Sequence, residues 1–164
     1  MQRRRLLQLG LGGAVVLAVA GGTAAWWTPG LRDGHFTPEG RAAMGALARA
    51  YLGDALPPDD AALNRHLDLV DALIGALPPA VRDELGLLLG LLTNAPGRLG
   101  LFGDGTSLAA RPVEAVRASL QAMRHSRLSL RQQAYFGLRE LHAGTHYAQP
   151  EAWVRLGYPG PLTI

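Results

Sequence analysis

The stretch 60-DAALNRHLDLVDALIGALPPAVRDELGLLLGLLTNAPG-97 decides the fold class. Leu63, Leu67, Val70, Ile74 and Leu77 recur three or four residues apart, so one face of a helix is apolar. Arg65, Asp68 and Asp71 fall mostly on the other side. Asp59 or Asp60 is placed to cap this helix, and Pro78-Pro79 closes it. A further helix then carries Asp83 and Glu84 in its first turns, where acids suit the positive helix end. Its run 85-LGLLLGLL-92 is apolar all round, the pattern of a central helix wrapped by others. A membrane hairpin is the rival reading, but the run falls far short of the ~20 residues that span a bilayer. Asn94-Ala-Pro-Gly is read as its end.

Working outward, Thr37-Pro38-Glu39 is a helix start: a capping hydroxyl, a proline suited to the first turn and an acid. That helix runs to Leu52 with Met44, Leu47, Ala48 and Tyr51 as its stripe, and Pro57-Pro58 follows. Residues 95–111 are Gly-rich with Leu99, Leu101 and Phe102 interspersed, and read as a long surface loop. Pro112 opens a helix through Val113, Val116, Leu120 and Met123. Residues 126–129 break the pattern. Another helix is expected from Leu130 to His142, with Tyr135, Leu138 and Leu141 on one face. Pro150–Leu156 has room for one or two turns. No segment alternates as a strand, and no repeat of 20–50 residues is present. The expected fold is all-α: about five helices in a compact bundle with a loop-rich, Pro- and aromatic-rich C-terminal tail. The expected organisation is a leader over 1–27, a linker over 28–36 and one helical domain over 37–164.

Charge bounds the function. All sixteen basic residues are Arg, and three of them fall in the first five positions. Without these, thirteen Arg face thirteen acids, so the body is neutral and a nucleic-acid partner is not indicated. The chain has no Cys, which excludes disulfides, thiolate metal sites, a covalent c-type haem and an acylated lipoprotein Cys.

Residues 1–27 have the layout of an export signal: Arg3-Arg4-Arg5, an uncharged run from Leu6 to Trp27, then Thr-Pro-Gly. Arg3, Arg4, Leu6 and Leu7 fit the twin-arginine pattern, and Gly10, Gly12 and Gly13 dilute the apolar run as such leaders do. Ala18-Val19-Ala20, or positions around Ala24 and Ala25, would serve for cleavage. Retained, the run would give ~33 Å of helix, enough for an anchor with Trp26 and Trp27 at the far interface. Membrane contact is expected only through this segment.

A catalytic constellation is hard to find. Ser107, Ser119, Ser126 and Ser129 have no nucleophile-elbow context. Asp59-Asp60 and Asp83-Glu84 open helices, where capping explains them. Gly100–Gly105 lacks the Lys and Ser/Thr of a phosphate loop. His142 and His146 are four apart, near Glu140, and a metal site would need a third ligand from Asp33, His35 or His66. Histidines near a helix C-terminus are also favoured without any metal.

The ending is the most specific feature. His146-Tyr147-Ala148-Gln149-Pro150, Trp153 and then Leu156-Gly157-Tyr158-Pro159-Gly160-Pro161 resemble the end of the gluconate 2-dehydrogenase subunit 3 family. That family includes small γ subunits of membrane-associated, FAD-dependent sugar and alcohol dehydrogenases. The twin-arginine leader, the Thr37-Pro38-Glu39 start and the Pro-separated helices match it too. A single Tyr147, Gln149 and the Leu-rich third helix depart from its usual pattern. The resemblance implies a non-catalytic accessory subunit, exported to the periplasm through the twin-arginine translocase. It would escort and stabilise a large subunit of the glucose-methanol-choline type that holds FAD, with no cofactor in this chain. A cytochrome c subunit is a further candidate member of the complex. Tyr147, Trp153, Tyr158, Pro159, Gly160 and Pro161 are the expected partner-binding residues. A stand-alone periplasmic binding or scaffold protein, and a small metal-dependent enzyme using His142 and His146, are the alternatives.

Overall fold

Helix α1 spans Pro38–Leu52 and begins at the expected cap. Thr37 Oγ1 accepts from the Gly40 amide at 3.1 Å, and its hydroxyl donates to the Pro29 carbonyl at 2.8 Å. The computed structural model describes residues 27–160. Before α1, strands β1 (Leu31–Arg32) and β2 (His35–Phe36) pair antiparallel, Leu31 opposite Phe36. Asp33 and Gly34 both have positive φ (55° and 83°), the condition for a tight two-residue hairpin whose twist suits its strands. Asp71 ties this hairpin down. Its carboxylate accepts from the Phe36 amide at 2.6 Å and from His35 Nδ1 at 2.8 Å.

Helix α2 spans Asp60–Gly75, with Asp59 as its cap (Oδ1 to the Ala62 amide, 2.7 Å). The Arg49 guanidinium donates to the carbonyls of Pro57, Pro58 and Asp59, which closes the α1–α2 connection. Helix α3 spans Pro79–Thr93, and α4 spans Ala95–Phe102 at 93° to it. Asn94 forms the corner. Its amide donates to the Gly90 and Thr28 carbonyls, both at 2.8 Å, and its Oδ1 accepts from the Thr28 amide at 3.1 Å. Helices α5 (Val113–Arg124), α6 (Ser129–Tyr147) and α7 (Pro150–Leu156) complete seven α-helices among the described residues.

Three expectations are corrected. Residues 95–102 form helix α4, not loop. Pro96 sits in the first turn, where its missing N–H is not needed, and Leu101 and Phe102 bury their side chains. The helix expected to end at His142 continues to Tyr147, held by buried Thr145 and a Gln149 side-chain bond to the Thr145 carbonyl. With α4 and α7 counted, the expected five helices become seven.

The third correction concerns the centre. The wrapped helix is α1, not α3. Ala43, Met44, Leu47, Ala48 and Ala50 are all buried, and α1 touches α2, α3, α5 and α6. Its small residues let neighbours approach on every side. Helix α3 buries only Leu89, Gly90 and Leu92. The core joins Met44 and Leu47 to Val70, Ile74, Leu89, Leu92, Val116, Leu120, Met123 and Leu138. No single helix among the described residues is long and apolar enough to cross a membrane.

Candidate interaction surfaces

The C-terminal segment folds around one side chain. Trp153 Nε1 donates to the Tyr147 carbonyl at 2.9 Å, and the Tyr158 ring meets the indole edge-on at 5.6 Å. Gly157 ends α7 in the left-handed conformation, and the Tyr158 amide returns to the Trp153 carbonyl at 3.0 Å. Gly160 then lies on the indole with φ near +100°. A side chain there would be strained by the backbone conformation as well as crowded by the ring. Thus Tyr147, Trp153, Tyr158 and Gly160 come together, with Pro159 in the turn. Ala152 anchors the segment and is buried, whereas Val154 is 81% and Leu156 61% exposed. Tyr147 and Tyr158 are about half exposed. These apolar groups are not used by the chain's own core. Pro161 lies outside the described residues, as do Arg3, Arg4, Leu6 and Leu7.

A second apolar surface went unnoticed in the sequence. Leu73 of α2, Leu77 in the α2–α3 connection, Val81, Leu85, Leu88 and Leu91 of α3, and Leu130, Ala134, Gly137 and Leu141 of α6 line an open groove of about 340 Å³. Gln133, Glu84 and Glu140 are its polar members. The signal was present: Leu73 lies off the buried stripe of α2 and is 42% exposed, and α3 is apolar on faces the core does not need.

The histidines form a buried polar cluster. His66 of α2 and His142 of α6 are stacked at 5.3 Å between centroids and hydrogen-bonded through Nε2 and Nδ1 at 3.0 Å. His146 lies edge-on to His66 at 6.2 Å, so His66 is the companion that α6 finds. Burial pushes His142 down to about 3, with His66 adding to the effect. Burial, then His146, pushes His66 down to about 4. Both rings are therefore neutral near pH 7, and a single N–H joins them. Tyr51 packs on His142 and donates its hydroxyl to the Tyr135 carbonyl at 3.0 Å. Its burial pushes that hydroxyl up, so it stays protonated.

His35 is engaged with Asp71 rather than with this cluster, and Glu140 pairs with Arg139 on the groove rim. Among the described residues no group of three or more His, Cys, Asp or Glu is placed to hold a metal ion. The Gly100–Gly105 stretch ends α4 and presents Asp104 rather than a cation. The Thr106 amide bonded to that carboxyl, with Arg111 beside it, holds it below the usual carboxylate range.

The chain matches no family model, no characterised protein and no solved structure. Its surfaces must be read from their own chemistry.

Proposed function

We propose that this protein is a non-catalytic, exported accessory subunit that escorts and stabilises a FAD-dependent dehydrogenase of the glucose-methanol-choline type. The observation that carries the reading is the tail. Val154 and Leu156 of α7 and Tyr158 in the turn after it are exposed on a segment already fixed by Trp153 and Gly160. Large apolar groups on a preformed turn lose little freedom when a partner covers them. Pro159 limits the unbound chain further. The twin-arginine pattern of residues 3–7 and the resemblance of residues 146–161 support the same reading. The groove favours a second reading, a stand-alone periplasmic binding protein. Purification as a free monomer with no co-eluting flavoprotein would select it.

Trp153→Ala combined with removal of residues 158–164 tests the tail. Losing a central aromatic anchor costs ~2–4 kcal/mol of binding, or roughly 30- to 1,000-fold in Kd. The fold should persist, because among the described residues of the segment only Ala152 is fully covered. The readouts are co-purification of the flavoprotein and thermal melting. A domain that unfolds while the partner still binds would make the tail structural. Replacing Arg3 and Arg4 with Lys should leave both subunits in the cytoplasm, as fractionation would show. Unchanged export would refute the leader.

A further inference from the structure

We propose that the leucine groove between α2, α3 and α6 is the docking site for residues 6–16 of the chain's own N-terminal segment. Three observations converge on this occupant. The first is chemical. The groove wall is mostly leucine, and its charged members are Glu84 and Glu140, with no Arg or His among the described lining residues. Its complement is an apolar segment with a basic end. Residues 6–26 carry no charge, and Arg3, Arg4 and Arg5 precede them.

The second is where the chain enters the fold. Trp27 packs on α3 at Gly90, so closely that a Cβ there would lie 2.8 Å from the indole Nε1. Helix α3 is also the groove's central wall. The segment before Trp27 therefore starts on the same helix that forms the groove wall. The third is reach. From Val81 to Leu91 the wall is about 15 Å long, and residues 6–16 laid along it as a helix would have the same length. Residues 17–26 can extend up to ~33 Å, well over the ~10–12 Å thickness of the helix they must pass. Docking would cover the groove leucines in the precursor, and removal of the leader would uncover them. The inference stands on the groove and the segment, whatever the partner subunit is.

The full-length precursor, retained in cells without a twin-arginine translocase, provides the test. The chain has no native Cys, so an introduced pair reports on itself alone. Leu11→Cys with Leu88→Cys should form an intramolecular disulfide under mild oxidation. Its yield should exceed that of Leu11→Cys with Leu99→Cys, an exposed position on α4, by about ten-fold or more. Leu73→Cys on the exposed rim is a second reporter if Leu88→Cys perturbs folding. A Cβ at Gly137 or at Gly100 would meet no atom within 4 Å. Gly137→Phe should fill the groove and abolish the cross-link, and Gly100→Phe should leave it intact. Equal yields from the two pairs, or insensitivity to Gly137→Phe, would overturn the proposal. A disulfide between two chains would instead give the groove to a second copy and equally overturn it.

Discussion

Acidifying the protein from pH 7 to pH 4 is expected to remove on the order of 5 kcal/mol of stability, through His66 and His142. The sign follows from the cluster. Both histidines are held well below their ordinary value of 6.5, His66 at about 4 and His142 at about 3. Below pH 6.5 the unfolded chain therefore binds up to two protons that the folded chain refuses. The contribution is complete above pH 6.5 and is lost as pH falls towards 4 and 3. Each refused proton costs ~1.4 kcal/mol per pH unit, and domains of this size hold only ~5–15 kcal/mol.

The geometry supplies the reason. One N–H already bridges the two rings at 3.0 Å, and a second proton would set donor against donor. His142 Nε2 is buried with no hydrogen-bond partner among the described residues, so a proton added there is not satisfied by them. Tyr51, packed on His142, offers no negative charge, because burial keeps its hydroxyl protonated. Urea denaturation followed by circular dichroism at pH 7, 5 and 4 measures the loss. In His66→Leu/His142→Leu the acid transition should flatten, with stability at pH 7 within about 1.5 kcal/mol of the parent because both partners leave together. The single His142→Ala should cost about 2–4 kcal/mol at pH 7, combining a cavity with an unpaired ring nitrogen on His66. A fold equally stable at pH 4 and 7 would mean that the two rings are not buried as a pair.

This cluster shows where sequence reading stops. The spacing of His142 and His146 put both on one helix, but their companion is 76 residues from His142 and on another element. His66 was one of three candidates until α2 packed on α6. Local chemistry was legible by contrast. Thr37 and Asp59 cap the helices they were expected to cap, because a hydroxyl or carboxylate reaching the third amide needs no tertiary context. The Leu-rich run of α3 was legible as a helix and misleading about its place. A helix apolar on all sides satisfies a core and an open groove alike, and hydropathy does not separate them. Ala-rich α1 took the centre because small residues, rather than large apolar ones, let neighbours close in on every face. In α4, Gly97 looked like a breaker. A Cβ there would lie 2.4 Å from the Leu91 carbonyl oxygen, so the sharp α3–α4 corner needs glycine. The tail's aromatic–Pro–Gly pattern was visible because Trp153, Tyr158 and Gly160 interact within eight residues.

Glycine gives the second large effect. Gly40→Ala is expected to destabilise the fold by about 2–3 kcal/mol, where helix propensity alone would have it gain up to ~1 kcal/mol. A Cβ at Gly40 would sit 2.0 Å from the Gly30 carbonyl oxygen and 2.8 Å from its carbon. These are backbone atoms and cannot rotate aside. Nor can Gly30 retreat. Its carbonyl accepts from the Thr37 amide at 3.1 Å, and on its far side a Cβ would lie 2.6–2.7 Å from Leu89. Gly40, Gly30 and Leu89 thus stack α1, the entering chain and α3 at backbone contact. A methyl group must pry that layer apart, and with it the Thr37 cap and the Trp27–Gly90 contact. Gly86→Ala provides the opposite sign in the same protein. Its Cβ would meet nothing within 4 Å, so the variant should gain ~0.5–1 kcal/mol. Urea midpoints for the two variants should therefore move in opposite directions. If Gly40→Ala were as stable as the parent, the entering chain would not lie between α1 and α3.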